Sequence, residues 1–381
     1  MEPAYIVRVS PKSGQILPHR KSESGDKIVP NSSSRRCFGA ALAVGVVALA
    51  LPVTGAAQGD PIAEFYKGKT VTILVGYEGG GGYDIYARLV AQFLGKHIPG
   101  NPTVIVQNMP GAGGLRAARN LATVSAKDGT ALGMLAQTLP FDTLLGYTPD
   151  IDAGRFNWIG RAAMNVEVGV AFAKSGITSV DDARKREVPT AGTGGTASST
   201  VVPFMLNKLA GTRFKLIAGY KSANEALVTM ERGEVDMVGA IGIATVMARH
   251  AERLKDGTIR IIYQSALKRH PGIAKVPTIG ELGVGKEERV ILDLFASGAA
   301  VGRALVAPPD VPPARVAALR RALAATLADP ELLAIAKKGA GLPLEPGSGE
   351  ELEGIVRAVL ATPRPIADKA KEVLESLKAQ R

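Results

Sequence analysis

Cysteine is almost missing. Cys37 is the only one in 381 residues, so everything beyond it lacks disulfides, thiolate metal centres and a cysteine nucleophile. Aromatics make up 5% of the chain, with a single Trp, which leaves little for stacking nucleic-acid bases. No block of five or more basic residues occurs, and nucleic acid is not an expected partner. Three histidines follow the N-terminal region: His97, His250 and His270. They are widely spaced among charged or loop residues, so neither a metal cluster nor a His-based triad is visible. A G-x-S-x-G elbow is absent too. The apolar run Phe38 to Val53 is interrupted by Gly39, Gly45 and Pro52, and it falls short of the roughly 20 residues that a spanning helix needs.

That run has a different use. Residues 1–57 are polar and basic up to Arg36, then apolar, then small at "TGAAQ". This order is that of an export signal, cleaved after Thr54-Gly55-Ala56 or Gly55-Ala56-Ala57, and it predicts a periplasmic protein. "SRRCF" also resembles a twin-arginine signal, although the Lys often found after the Phe is absent. Cys37 precedes the apolar run rather than following it, so lipid anchoring is not expected. The net charge of +11 falls to +7 without residues 1–57, an excess compatible with anionic ligands and equally with an ordinary soluble surface.

The remainder alternates between two hydrophobic periods. Strand-like runs stand at 70–76, 103–107, 131–135, 167–173, 188–192, 214–219, 235–240, 259–264 and 304–308. Helix-like runs separate most of them; Ile85, Leu89 and Phe93, with Val90 and Leu94, form one apolar stripe. Capping boxes are written at Ser222 to Glu225 and Ser348 to Glu351, and "VPPARVAALRRALAATL" opens with proline in a first turn. The alternation predicts an α/β fold with mostly parallel sheets. Seams near 161–170 and 285–303 predict two lobes joined by a hinge: residues 58–165 plus 286–381, with 166–285 inserted. The last helices are expected to pack back on the first lobe. Such a layout holds ligand in the cleft between lobes.

Two loops carry the candidate chemistry. "YEGGGGYD", Tyr77 to Asp84, joins a strand to a helix. Ligands of such units bind beyond the strand's carboxyl end, where loop amides and the helix N-terminus favour an anion. Gly79, Gly80, Gly81 and Gly82 let the backbone approach it closely. Tyr83 follows directly and could wall a pocket; Asp84 is placed to cap the helix or to touch ligand. Nucleotide fingerprints fail: G-x-G-x-x-G would need glycine at Asp84 or Ile85, and the P-loop Gly-Lys-Ser/Thr ending is missing. The second loop, "GTGGTASST" (192–200), offers amides and hydroxyls, with Ser199 or Thr200 as expected N-cap so that Pro203 stays in the first turn. Charge-assisted hydrogen bonds from these amides suffice for binding at about −8 kcal/mol without a Lys or Arg in contact. The acidic turn Asp150 to Asp152 reads as solvated, with a cation site as its alternative.

"YKGKTVTILVGYEGGGGYDIYARLVAQFL", "VIVQNMPGAGG", "GYKSANEALVTMERGEVDMV" and "KRHPGIAKVPTIGELG" resemble the periplasmic receptors of tripartite tricarboxylate transporters, the Bug proteins, in order over about 60–375. The resemblance implies a two-lobed Venus-flytrap fold of the type II periplasmic-binding class. It implies capture of a small organic carboxylate, delivery to membrane permease subunits, no cofactor and no enzymatic activity. The ligand would be held by Tyr77, Gly79 to Asp84, Gly194, Ala197, Ser198, Ser199 and Thr200, with Tyr220 facing the cleft. The chain departs from the family at Glu78, where a Pro is common; at Ala240, where many members place an Asp; and at Thr200, where many have His. Asn108 and the "PGAGG" turn are equally open to shaping the loop or touching ligand. A monomer is expected. A ligand-presenting partner of a periplasmic sensor, or a periplasmic α/β enzyme, are the alternatives.

Overall fold

Strand β1 (Thr70–Val75) begins a sheet that β2 (Thr103–Asn108), β3 (Ala131–Met134) and β4 (Asn157–Arg161) extend. The chain then leaves it to build a second sheet from β5 (Glu167–Phe172), β6 (Val188–Gly192), β7 (Phe214–Ala218), β8 (Met237–Gly242) and β9 (Ile259–Ser265). It returns to the first through β10 (Ala304–Ala307) and β11 (Gly347–Ser348). The structure is a computed structural model and describes residues 60–193, 197–220, 223–338 and 342–379. The export signal, Cys37, Gly194 and the cap at Ser222 lie outside the described residues.

The strand order is β11-β4-β10-β3-β1-β2 in the first sheet and β7-β6-β8-β5-β9 in the second. The α/β class is as expected, but the sheets are more mixed than "mostly parallel". β1 runs parallel to β2 and β3, and β6 to β7 and β8. β10, β11 and β5 make antiparallel pairs. Parallel neighbours need a crossover helix within their own sheet. β5 arrives directly from β4 of the other sheet, and β10 follows a helix packed partly on the second sheet, so no crossover orients either one.

Local signals placed most elements. Leu89, Val90, Phe93 and Leu94 are buried on the helix Gly82–His97, although Ile85 is exposed, so the stripe starts one turn later than expected. The Ser348 hydroxyl accepts from the Glu351 amide and caps the helix Gly349–Leu360. Proline opens Pro313–Leu327. The helix Ser198–Leu209 corrects the expected cap: its N-cap is Ala197, and Pro203 lies inside it. Proline leaves the Ser199 carbonyl without its intrahelical donor. Gly239 on β8 packs against that carbonyl so closely that a Cβ would sit 2.0 Å from it.

The C-terminal packing also differs from expectation. The Pro313 helix shares the first sheet's core through Leu319, Ala322 and Leu323, and the Gly349 helix packs Leu352 and Val356 near Trp158. The last helix, Arg364–Ala379, instead buries Ala367, Ala370 and Leu377 with Val202 and Leu206 of the Ser198 helix and Ile291 and Leu292 of the helix Lys286–Val301. Lys369 pins it there, at 2.7 Å from Glu287 and 3.0 Å from Glu288. Its apolar face thus completes the second sheet's helical layer.

Two segments connect the sheets, and they bond to each other. The Ala162 and Arg303 backbones exchange with 303 and 163 at 3.0 and 2.8 Å, and the Asn165 amide donates to Ala299 at 3.0 Å. Gly302 has φ +58° and ψ −132°, and a Cβ on it would lie 2.2 Å from the Ala163 carbonyl oxygen. Only glycine fits there.

Candidate functional site

The first loop is held from within. Asp84, 3% exposed, accepts from the Gly80 amide at 2.8 Å, from Asn108 Nδ2 at 2.9 Å and from Arg88 Nε at 2.9 Å. Asn108 Nδ2 also donates to the Tyr77 carbonyl, and its Oδ1 accepts from Arg88. Asp84 is therefore the loop's latch rather than a contact offered to ligand, and the Gly80 amide is spent on it. Asn108 shapes the loop in the same way. The "PGAGG" turn backs it: a Cβ on Gly76 would lie 2.8 Å from Gly114 Cα, and Tyr77 donates its hydroxyl to the Gly113 carbonyl at 3.2 Å. Gly79, Gly81 and Gly82 remain exposed, and Gly81, the N-cap residue, carries no side chain to satisfy the helix's first amides. Glu78 is exposed.

Hydrogen bonds to the latch, chiefly from Arg88, lower the Asp84 pKa from an ordinary 3.8 to about 2. A depressed carboxylate stabilises the fold fully above its unfolded pKa and loses that contribution as pH falls through its folded one. The stability difference between the native protein and Asp84→Asn is therefore expected to be constant above about pH 4 and to shrink between about pH 4 and 2. Urea denaturation at a series of pH values measures it; a difference that persists unchanged at pH 2 would contradict the latch.

The second loop is partly internal. Ser199, 4% exposed, accepts from the Thr193 amide at 2.9 Å and shares a hydrogen bond with its hydroxyl. Thr200, 3% exposed, keeps its hydroxyl oxygen buried, close against Gly192 and without a hydrogen-bond partner among the described residues. Ala197 and Ser198 are half-buried at the helix start. Tyr220 is half-buried against the second sheet's core, with its amide near the Gly192 carbonyl.

Beside the first loop stands a side chain that the sequence reading did not include. Arg303, at the end of the second connecting segment, lies over the Tyr83 ring at 3.9 Å. A Cβ on Gly82 would come within 3.2 Å of its Nη2, so it borders the helix's first turn directly. Tyr83 stacks on Tyr77, with centroids 4.4 Å apart. The circuit closes through neutral groups: Arg303 Nη2 donates to Asn165 Oδ1 at 2.9 Å, Asn165 Nδ2 to Gln137 Oε1 at 2.7 Å, and the Gln137 amide to the Tyr83 hydroxyl at 3.0 Å. Among the described residues, the buried Arg303 Nη1 has no hydrogen-bond partner and no carboxylate comes within 4.0 Å of the guanidinium. A guanidinium and the positive end of a helix thus lie together with no ion-paired carboxylate among the described residues. Burial raises the pKa of Glu167, the first residue of β5, opposed by a hydrogen bond from Ser198 and by the charge of Arg303. The available signals were slight: an arginine just past a glycine at a helix end, and one acid opening an otherwise apolar strand.

The acidic turn is structural. Asp150 pairs with Arg119, and Asp152 accepts from the Gly154 amide at 2.8 Å. Nearby, a hollow of about 440 Å³ is lined by Lys127 and Arg155 as well as these acids, and one of about 460 Å³ lies beside Arg320 and Glu350. Neither includes a residue of the two loops.

The model of the tripartite tricarboxylate transporter family receptor matches residues 86–348. A UPF0065 protein of Cupriavidus necator, encoded in a gbd 5′ region, is 30% identical over 256 residues, spanning 65% of this chain and 73% of its own. A TctC solute binding protein from Polaromonas, solved without ligand, has the same fold at TM-score 0.60 and 19% identity, covering 82% of this chain and 99% of its own. R. palustris Rpa4515, solved with adipate, superposes at TM-score 0.55 with 23% identity over 79% of this chain and 97% of its own. The fold is thus that of periplasmic binding proteins. With more than half of its length matched by the family model, this chain belongs to the tripartite tricarboxylate transporter receptor family.

Proposed function

We propose that this protein is a periplasmic solute receptor that takes a small organic carboxylate between its two sheets and hands it to the membrane permease subunits of a tripartite tricarboxylate transporter. The observation that carries this reading is the unpartnered Nη1 of Arg303 beside the first turn of the Gly82 helix. Two positive features in contact repel each other unless an anion lies between them. The helix amides of Gly82 and Tyr83 and the guanidinium offer it converging donors. The adipate held by the fold-mate from R. palustris supports the choice of a carboxylate, and the signal-like residues 1–57 support the compartment.

The two connecting segments act as the hinge in this reading, with the lobes drawn at residues 58–165 plus 286–381 and 166–285. The Arg364 helix moves with the second lobe. Ligand favours closure only by the difference between its affinities for the closed and open states.

Thermal-shift titration of the mature protein with small mono- and dicarboxylates tests the proposal. A receptor gains stability as RT ln(1 + [L]/Kd), and chromatography recovers the ligand unchanged. Absence of a shift with every acid would count against a carboxylate site, and consumption of the acid would point to an enzyme. Gly82→Val, which drives a branched side chain against Arg303, is expected to weaken binding at least tenfold, about 1.4 kcal/mol, with an unchanged circular dichroism spectrum. Calorimetric titration reads the change, and native affinity in this variant would remove the first turn from the site.

A further inference from the structure

Arg303 is held in place without being neutralised. Its Nη2 donates to Asn165 Oδ1 at 2.9 Å, and Asn165 Nδ2 donates to Gln137 Oε1 at 2.7 Å. The Gln137 amide donates in turn to the hydroxyl of Tyr83, whose ring underlies the guanidinium at 3.9 Å. Every one of these partners is uncharged. The acids close by in sequence are engaged or apart: Asp84 is latched within the first loop, and Glu167, two residues beyond Asn165, makes no ion pair with Arg303 within 4.0 Å. The direction of the circuit is forced. A guanidinium only donates, so Asn165 turns its oxygen to Arg303 and its amide nitrogen to Gln137, which presents its own oxygen. Asn165 is anchored as well as oriented. Its backbone amide donates to the Ala299 carbonyl at 3.0 Å, and the Gln137 carbonyl oxygen lies against the same helix, 3.3 Å from the place of a Cβ on Gly298.

Resting on the carboxylate reading above, we infer that Asn165 is a positioning residue whose neutrality keeps the charge of Arg303 open to an anion. Asparagine and aspartate have the same shape, but an aspartate here would pair with the guanidinium through a charge-assisted bond and cancel the field that draws a ligand carboxylate. The carboxamide supplies orientation alone. With no acceptor at 165 the long side chain regains its rotamer freedom and leaves the helix start. The circuit thus separates two properties that an ion pair would join. The guanidinium is fixed, and its charge stays uncompensated beside the first turn of the Gly82 helix. Stability and affinity therefore respond in opposite senses to one oxygen-for-nitrogen exchange at 165. Asn165 does not touch ligand in this account; it acts through Arg303.

The test reads both properties on the mature protein. Calorimetric titration uses acetate, succinate, glutarate and adipate, and affinities are compared for whichever of them the native protein binds best. Asn165→Asp is expected to weaken that binding by about 10- to 30-fold, while its urea midpoint stays at or above the native value. Gln137 accommodates the new acceptor by turning its amide to donate. A merely structural asparagine gives the opposite coupling, in which affinity falls only as stability falls. Asn165→Ala frees the guanidinium without neutralising it, and a loss of about three- to tenfold is expected. In an Arg303→Ala background the same change has an effect of less than about threefold, because Arg303 is the group it acts through. If Asn165→Ala does not fold, the isosteric Asp variant carries the test. An Asp variant that binds within about threefold of native, one that loses affinity together with stability, or an Asn165→Ala loss undiminished in the Arg303→Ala background overturns the inference and leaves the carboxylate site standing. Native protein that binds none of the four acids overturns both.

Discussion

Arg303→Ala is expected to weaken carboxylate binding by about 30- to 5,000-fold, the largest loss of any single substitution in the site. Removing one partner of a desolvated, hydrogen-bonded charge pair costs about 2–5 kcal/mol. Arg303 qualifies on geometry: a buried Nη1 with no acceptor among the described residues, a ring beneath it at 3.9 Å and Asn165 holding its other nitrogen. Arg303→Lys keeps the charge but loses the planar fork and the stack on Tyr83, so an intermediate loss is expected. The variant should remain folded, because the groups left behind, Asn165 and Tyr83, keep Gln137 as a partner. Calorimetric titration with the acid that binds best to the native protein decides it. Affinity within threefold of native would return the site to main-chain donors alone, the picture that the sequence suggested.

Gly302→Ala is expected to destabilise the protein by about 3 kcal/mol or more. Two costs combine: a backbone conformation reserved for glycine, at about 1–3 kcal/mol, and a Cβ 2.2 Å from the Ala163 carbonyl oxygen, which forces the connecting segments apart. Gly257→Ala is the matched control. Gly257 also has positive φ, at +78°, but a Cβ there meets nothing within 4 Å, so only the backbone cost of about 1–2 kcal/mol applies. Urea denaturation of the two variants separates clash from strain, and equal losses would show that the segments are not in close register at Gly302.

Some of this site was legible. The glycine loop lies where its strand–loop–helix signature put it, because β1 and the Gly82 helix are each specified by local periodicity. Its internal wiring was not. Asp84 sits in the first helical turn and looks like a cap or a ligand contact, yet its partners Gly80, Arg88 and Asn108 make it a latch. Ser199 resembled a free hydroxyl and is spent on Thr193. β4 is not among the strand-like runs of the sequence and ends where the first seam, near 161–170, is expected. Arg161 is in fact buried, donating to the Glu345 carbonyl at 3.1 Å and pairing with Glu351, contacts that lie far along the chain.

The sequence by itself determined the alternation of strands and helices, the helix starts at Ser348 and Pro313, the position of the glycine loop and the family. All of these are encoded within windows of about ten residues or in ordered motifs. The tertiary structure alone decided the antiparallel insertions, the attachment of the last helix to the second sheet and the meeting of Arg303 with Asn165, 138 residues apart. Side chains so distant share no period or spacing. They are brought together by the route of two connecting segments between sheets, and that route depends on which faces bury against which.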